Sequence, residues 1–127
     1  MKTRISIILL LAVSLSACKK NHANNPQPSI SGTWELRATK GGNILPATYP
    51  AGNGNLISFT NPSYTNYKSG SLVTQGTFQQ NVSENNAETI TFNSGNFTNE
   101  KGILQLDTLR LQPFNPEFAT SYYIKMP

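Results

Sequence analysis

The sequence from residue 30 onward predicts an all-β fold, a small up-and-down antiparallel β-barrel of about eight strands. Three observations carry this expectation. Apolar and polar residues alternate with a period of two, and no window of about 11 residues shows a helical apolar stripe. Turn-forming clusters of Gly, Pro and Asn separate these runs at short intervals. All six Phe, all five Tyr and the single Trp lie in this stretch, which is long enough for one domain and is where a core must form.

In the first strand Trp34, Leu36 and Ala38 alternate with Thr33, Glu35, Arg37 and Thr39, giving one apolar face and one wet face. Residues 40–55 then form a long loop, because Gly41, Gly42, Pro46, Pro50, Gly52 and Gly54 interrupt any regular element. Strands follow over residues 56–60, ending at Asn61-Pro62; 63–69, ending at Gly70; 71–80, ending in the turn 81–86; and 88–92, ending at Asn93-Ser94-Gly95. The last three are residues 96–104, broken near Lys101-Gly102, residues 107–112 and residues 120–126. Pro113 and Pro116 confine the last long loop, since neither can donate a ladder hydrogen bond.

Closing such a sheet on itself removes the edges that would recruit other chains. A two-sheet β-sandwich is the competing arrangement. Alternation assigns Trp34, Leu36, Ile57, Phe59, Leu72, Phe78, Ile90, Phe92, Leu109, Leu111, Tyr122 and Ile124 to the inner face. Tyr64 and Tyr67 fall on opposite faces, so one of the two is at least partly exposed.

The amino end reads differently. Lys2 and Arg4 precede an apolar run over residues 5–15, the build of a secretory signal peptide. The run is too short for a transmembrane helix, which needs about 20 apolar residues. Residues 19–29, KKNHANNPQPS, lack any large aliphatic side chain and are expected to be a flexible tether. Of the ten Lys and Arg residues, Lys2, Arg4, Lys19 and Lys20 lie in these two segments, which leaves the domain with as many basic as acidic groups. A balanced domain argues against nucleic-acid binding, which draws its affinity from phosphate neutralisation.

Leu15-Ser16-Ala17-Cys18 resembles the lipobox of bacterial lipoproteins. The resemblance implies that residues 1–17 are removed and that the Cys18 thiol receives a diacylglycerol and becomes the new amino terminus, with residues 18–29 as tether and residues 30–127 as the domain. The competing reading is an ordinary signal peptide cut after Ala17. Two or three acyl chains give stable attachment, at about 0.8 kcal/mol per buried methylene. Lys19 stands where an acidic residue would imply retention at the inner membrane, so the resemblance implies the outer membrane, facing the periplasm.

Gly32-Thr33-Trp34 at the start of the first strand resembles the G-x-W signature of the lipocalins. In that family the glycine permits a tight entry to the strand, the tryptophan closes the base of the barrel, and a late basic residue packs over it; Arg110 and Lys125 are the candidates for that role here. The glycine-rich loop with Tyr49-Pro50, the strand at residues 56–59, Gly76-Thr77-Phe78 and Asp107-Thr108-Leu109-Arg110-Leu111 are similar to the compact lipocalin-like domain of Gram-negative lipoproteins. The T-D-Y signature of full lipocalins is missing, since Thr65-Asn66-Tyr67 comes too early in the chain to represent it.

Two functions follow as expectations. An eight-stranded interior is just wide enough either to be filled by side chains or to hold one small ligand. In the first-ranked reading the barrel binds an apolar or amphipathic small molecule, with Phe59, Phe78, Phe92 and Tyr122 as lining and Tyr49 at the mouth. In the alternative the core is filled and the loops recognise a protein of the envelope. Either protein is expected to be a monomer without a cofactor or metal. His22, the single histidine, lies in the tether, so the domain has neither His nor Cys for zinc or nucleophilic chemistry. The six acidic residues show no catalytic pairing, and no enzyme is expected. Asp107-Thr108-Leu109 also resembles a short bacterial O-glycosylation motif, which makes Thr108 a candidate modification site.

The anchor is directly testable. Cys18→Ser should abolish incorporation of labelled lipid and release the protein from the membrane fraction, whereas unchanged labelling and partitioning would refute lipidation.

Overall fold

The computed structural model describes residues 28–82 and 87–127. The expected signal segment, Cys18, Lys19, Lys20, His22 and Glu84 lie outside the described residues. The described chain forms β1 (Gly32–Lys40), β2 (Ala47–Thr48), β3 (Leu56–Thr60), β4 (Ser63–Lys68), β5 (Ser71–Val82), β6 (Glu88–Phe92), β7 (Glu100–Gln105), β8 (Thr108–Pro113) and β9 (Thr120–Lys125). All pairings are antiparallel between successive strands, except that β1 pairs with β2, β3 and β9. The β1–β9 pairing closes eight strands into a barrel, and β2 is an extra short strand on β1. The expected closed up-and-down barrel is therefore observed, and the sandwich is not.

Two ends can be defined from the connections. The base holds the start of β1 and the turns from β3 to β4 and from β7 to β8. The mouth holds the end of β1, the β4–β5 turn and the loops 93–99 and 114–119.

The interior is occupied by side chains. Ile30, Trp34, Ile57, Phe59, Tyr64, Phe78, Ile90, Phe92, Phe97, Leu104, Leu109, Leu111 and Tyr123 form one buried cluster, with Leu36 packed against it. Along one wall Phe59 meets Phe78 edge-on at 5.1 Å between centroids, and Tyr64 meets Phe92 likewise at 5.2 Å. Such pairs add roughly 0.5–1.5 kcal/mol beyond the area they bury. Of the two tyrosines on opposite faces of β4, Tyr64 is buried and Tyr67 is half-buried.

Trp34 shuts the base. Its indole Nε1 donates to the Ile30 carbonyl at 2.7 Å, folding the entering chain beneath the barrel. Lys125, not Arg110, stands over the indole, with Nζ 5.4 Å from the ring centroid, and the same ammonium donates to the Ser29 carbonyl at 2.8 Å. Gly32 enters β1 at a φ of 115°, and a Cβ there would lie 3.3 Å from Lys125 Cε. Only glycine takes that backbone without strain.

Several expectations are corrected. Residues 40–55 are not structureless, because β2 pairs Ala47 with Thr39 and Thr48 with Ala38. β7 starts at Glu100 rather than residue 96, and Lys101-Gly102 continues the ladder through its pairings with Thr91 and Ile90. Tyr122 and Ile124 are not inner residues, and Tyr123 is. Three apolar residues in a row leave the alternation ambiguous; the register with β8 resolves it by setting Tyr123 opposite the buried Leu109. A bulge in β1 between Leu36 and Ala38 keeps both sides of that closure in phase. Leu72 is 58% exposed, because the bulge where β4 pairs with β5 sets it opposite Tyr67 on the outer face rather than in line with the inward Gly76 and Phe78.

These placements set opposite expectations for two residues that alternation treats alike. Trp34→Ala should lower unfolding free energy by about 3–5 kcal/mol in urea titrations, whereas Leu72→Ser should change it by less than about 0.5 kcal/mol.

Candidate recognition site at the barrel mouth

The mouth is built by loops tied to β1. On the outer side of β1 the Glu35 carboxylate accepts from the Gly52 amide at 2.7 Å, the Asn53 amide at 3.0 Å and Arg37 Nη1 at 3.0 Å. Glu35 thus lies on the outer face that alternation gives it, but the loop covers it and leaves it 4% exposed. The covering loop is locked further by Asn53 Nδ2, which donates to the Leu36 carbonyl at 2.8 Å and to the Pro50 carbonyl at 2.6 Å. The Tyr49 amide donates to the Arg37 carbonyl at 2.9 Å, which holds Tyr49 half-buried at the rim.

The first part of this loop is clamped to the β8–β9 loop. The Asn43 amide donates to the Glu117 carbonyl at 3.0 Å. Gly42, at a φ of 64°, comes so close that a Cβ would lie 2.6 Å from the Glu117 oxygen. The β8–β9 loop is itself compact, with the Glu117 amide donating to Asn115 Oδ1 at 3.0 Å and the Phe114 amide to the Asn99 carbonyl at 3.0 Å. On these two joined segments large apolar side chains face solvent: Ile44, Leu45 at 88%, Phe114 at 68% and Phe118 at 65% exposure. Scattered apolar residues are ordinary on a surface, whereas these four are carried by two loops that a backbone hydrogen bond joins.

Phe97 seals the interior beneath the third mouth loop, packing on Tyr64 at 5.5 Å and on Phe92 at 5.3 Å between centroids. The Tyr64 hydroxyl donates to the Ser94 carbonyl at 2.9 Å and so pins that loop from inside. Beside this seal the upper interior is polar. Thr39 and Ser121 pair across the β1–β9 closure. The Thr39 hydroxyl is buried without a partner among the described residues. Glu100 begins β7, and burial raises its carboxyl from 4.5 to about 7. The Tyr123 phenol is raised first by burial, then by the charges of Glu100 and Tyr49. Burial likewise raises the Tyr64 phenol.

The expected site residues scatter accordingly. Gly32 and Trp34 form the base. Phe59, Phe78 and Phe92 are buried in the aromatic cluster, in contact with one another rather than around a space. Tyr122 lies on the outer wall, with Lys40 Nζ 5.5 Å above its ring. Thr108 is half-buried at the base end of β8, paired with Gln105 and Ile124. Among the described residues no three His, Cys, Asp or Glu side chains converge on a metal position. Sequence reasoning points to the loops 40–55 and 113–117 but does not single out Ile44, Leu45 or Phe114 within them, and it does not reach Phe118 or Glu100. Loop residues that are apolar despite surrounding Gly, Pro and Asn were the available signal.

No protein-family model, curated protein or solved structure matches the chain.

The raised Glu100 carboxyl has a signed consequence. Its folded value lies above its ordinary one, so the native state holds the proton more tightly than the unfolded chain does. Its contribution to stability is complete below about pH 4.5 and is lost as pH rises through about 7. Glu100→Gln keeps the shape without the titration, so the variant's stability relative to the parent should rise between about pH 5 and about pH 8, read from urea midpoints.

Proposed function

We propose that the chain is a lipid-anchored protein of the cell envelope whose filled barrel acts as a rigid stand for protein recognition by the mouth loops. The carrying observation is the joined pair of loops that expose Ile44, Leu45, Phe114 and Phe118 while the interior beneath them is packed. A packed interior supports recognition on the rim rather than inside, because buried rings leave no volume for a guest. Exposed aromatic and aliphatic anchors on pre-ordered loops suit a protein partner, since little ordering entropy is lost on binding. Attachment at Cys18 is supported by the lipobox and the tether-like composition of residues 19–29, and the described chain enters the barrel at the base, the end opposite the mouth.

A specific observation favours a second reading. The unpartnered Thr39 hydroxyl, the Glu100 carboxyl and the Tyr49 and Tyr123 phenols would give an amphipathic small molecule polar contacts at the open end. Binding there would be shallow, above the Phe97 seal.

The two readings separate in one experiment on the full chain. Immobilised protein should capture a defined envelope protein saturably, and combined Leu45→Ser, Phe114→Ser and Phe118→Ser should reduce capture at least tenfold while Leu72→Ser does not. Equal capture by the triple variant would refute the loop surface. Saturable binding of a hydrophobic dye, lost in Tyr49→Ala, would establish the second reading instead.

A further inference from the structure

The base carries its own exposed apolar group, distinct from the mouth. Leu106 sits at the tip of the β7–β8 turn, is 77% exposed and has a φ of 52°. Left-handed backbone is adopted cheaply by Gly, Asn or Asp, and a leucine there has both an unfavourable backbone and an unburied side chain. Ile124 and Met126 are exposed at the same end. Leu106 lines an open groove of about 260 Å³ with Pro28, Ser29, Asp107 and Lys125. The groove is held together by the Lys125 amide, which donates to the Asp107 carbonyl at 3.2 Å, and by the Lys125 ammonium on the Ser29 carbonyl.

Pro28 and Ser29 are where the described chain begins, so the tether reaches the domain at this groove. The nine residues between Cys18 and Pro28 span at most roughly 30 Å when extended. A barrel of strands this long is on the order of 20 Å tall. A lipid at Cys18 therefore favours the base as the end nearest the bilayer, because bringing the mouth there would draw the tether out to about two thirds of its full length, at a cost in chain entropy.

We propose that the barrel is seated base-down on the phospholipid bilayer, with Leu106 entering the boundary between headgroups and acyl chains. This rests on the lipid anchor at Cys18 proposed above. Leu106 is apolar, protrudes beyond the strands and is ringed by polar Asp107 and Lys125, so it can enter the boundary while the barrel remains outside. Seating at the base leaves Leu45, Phe114 and Phe118 pointing away from the membrane and free to meet a partner.

The test uses the lipidated full chain in vesicles of phosphatidylethanolamine and phosphatidylglycerol containing brominated acyl chains. Added tryptophans report contact with the acyl region, and Trp34, buried in the parent, supplies the background. Quenching in Leu106→Trp should exceed that in Phe118→Trp at least threefold, with Phe118→Trp close to the parent. Equal quenching at the two ends, in protein that floats with the vesicles, would overturn the seating and leave the anchor intact. Failure of the parent protein to float would overturn both. A second variant guards against misfolding: Leu106→Asn should raise the urea midpoint slightly by relieving the left-handed leucine. In the same background it should lower protection of the base from a water-soluble proteinase.

Discussion

Antiparallel pairing of β1 with β9 is the constraint on which the other features depend. Without it the sheet would present two edges and an open apolar face, each a site for adventitious pairing. Closure brings Trp34 opposite Lys125 and Thr39 opposite Ser121, so it assembles parts of the base and of the mouth at once. The bulge between Leu36 and Ala38 is part of the same device, since it realigns β1 so that Thr39 again faces inward above Leu36.

Adjacent residues on β1 then organise the two sides of the wall. Trp34 turns inward, takes the Ile30 carbonyl and receives the Lys125 ammonium, which folds the entering chain under the barrel. Glu35 turns outward and gathers the amides of Gly52 and Asn53, which fixes the long loop along β1. A carboxylate buried in this way is tolerated because its oxygens are supplied with donors. Loop order at the mouth therefore begins with a charge that period-two alternation marks as solvent-facing.

A packed interior moves recognition to the rims. Five of the aromatic rings pack along one wall and Trp34 fills the base, so side chains of the described residues occupy the interior of the barrel. The base and the mouth differ in what they expose. The base combines a protruding leucine with a lysine committed to the chain entry, while the mouth combines clamped apolar loops with a half-buried carboxyl. Those differences match an attached end and a recognising end.

Alternation and turn chemistry alone locate most strands, the single domain and the inward Trp34, because a period of two and a Gly or Pro break are local properties. They do not fix the phase of Tyr122-Tyr123-Ile124, where every candidate is apolar; pairing with Leu109, more than ten residues away in the chain, decides it. Nor do they reveal that Glu35 is covered, that Leu72 is turned outward, or that Asn43 meets Glu117, since each depends on contacts between segments apart in sequence. Composition and periodicity determined that residues 30–127 would form a small all-β domain of short antiparallel strands, and the pairing of β1 with β9 decided for the barrel over the sandwich. Only the tertiary structure decided that its interior is filled and which loops stand at its rim, because volume and adjacency arise from contacts between residues far apart in sequence.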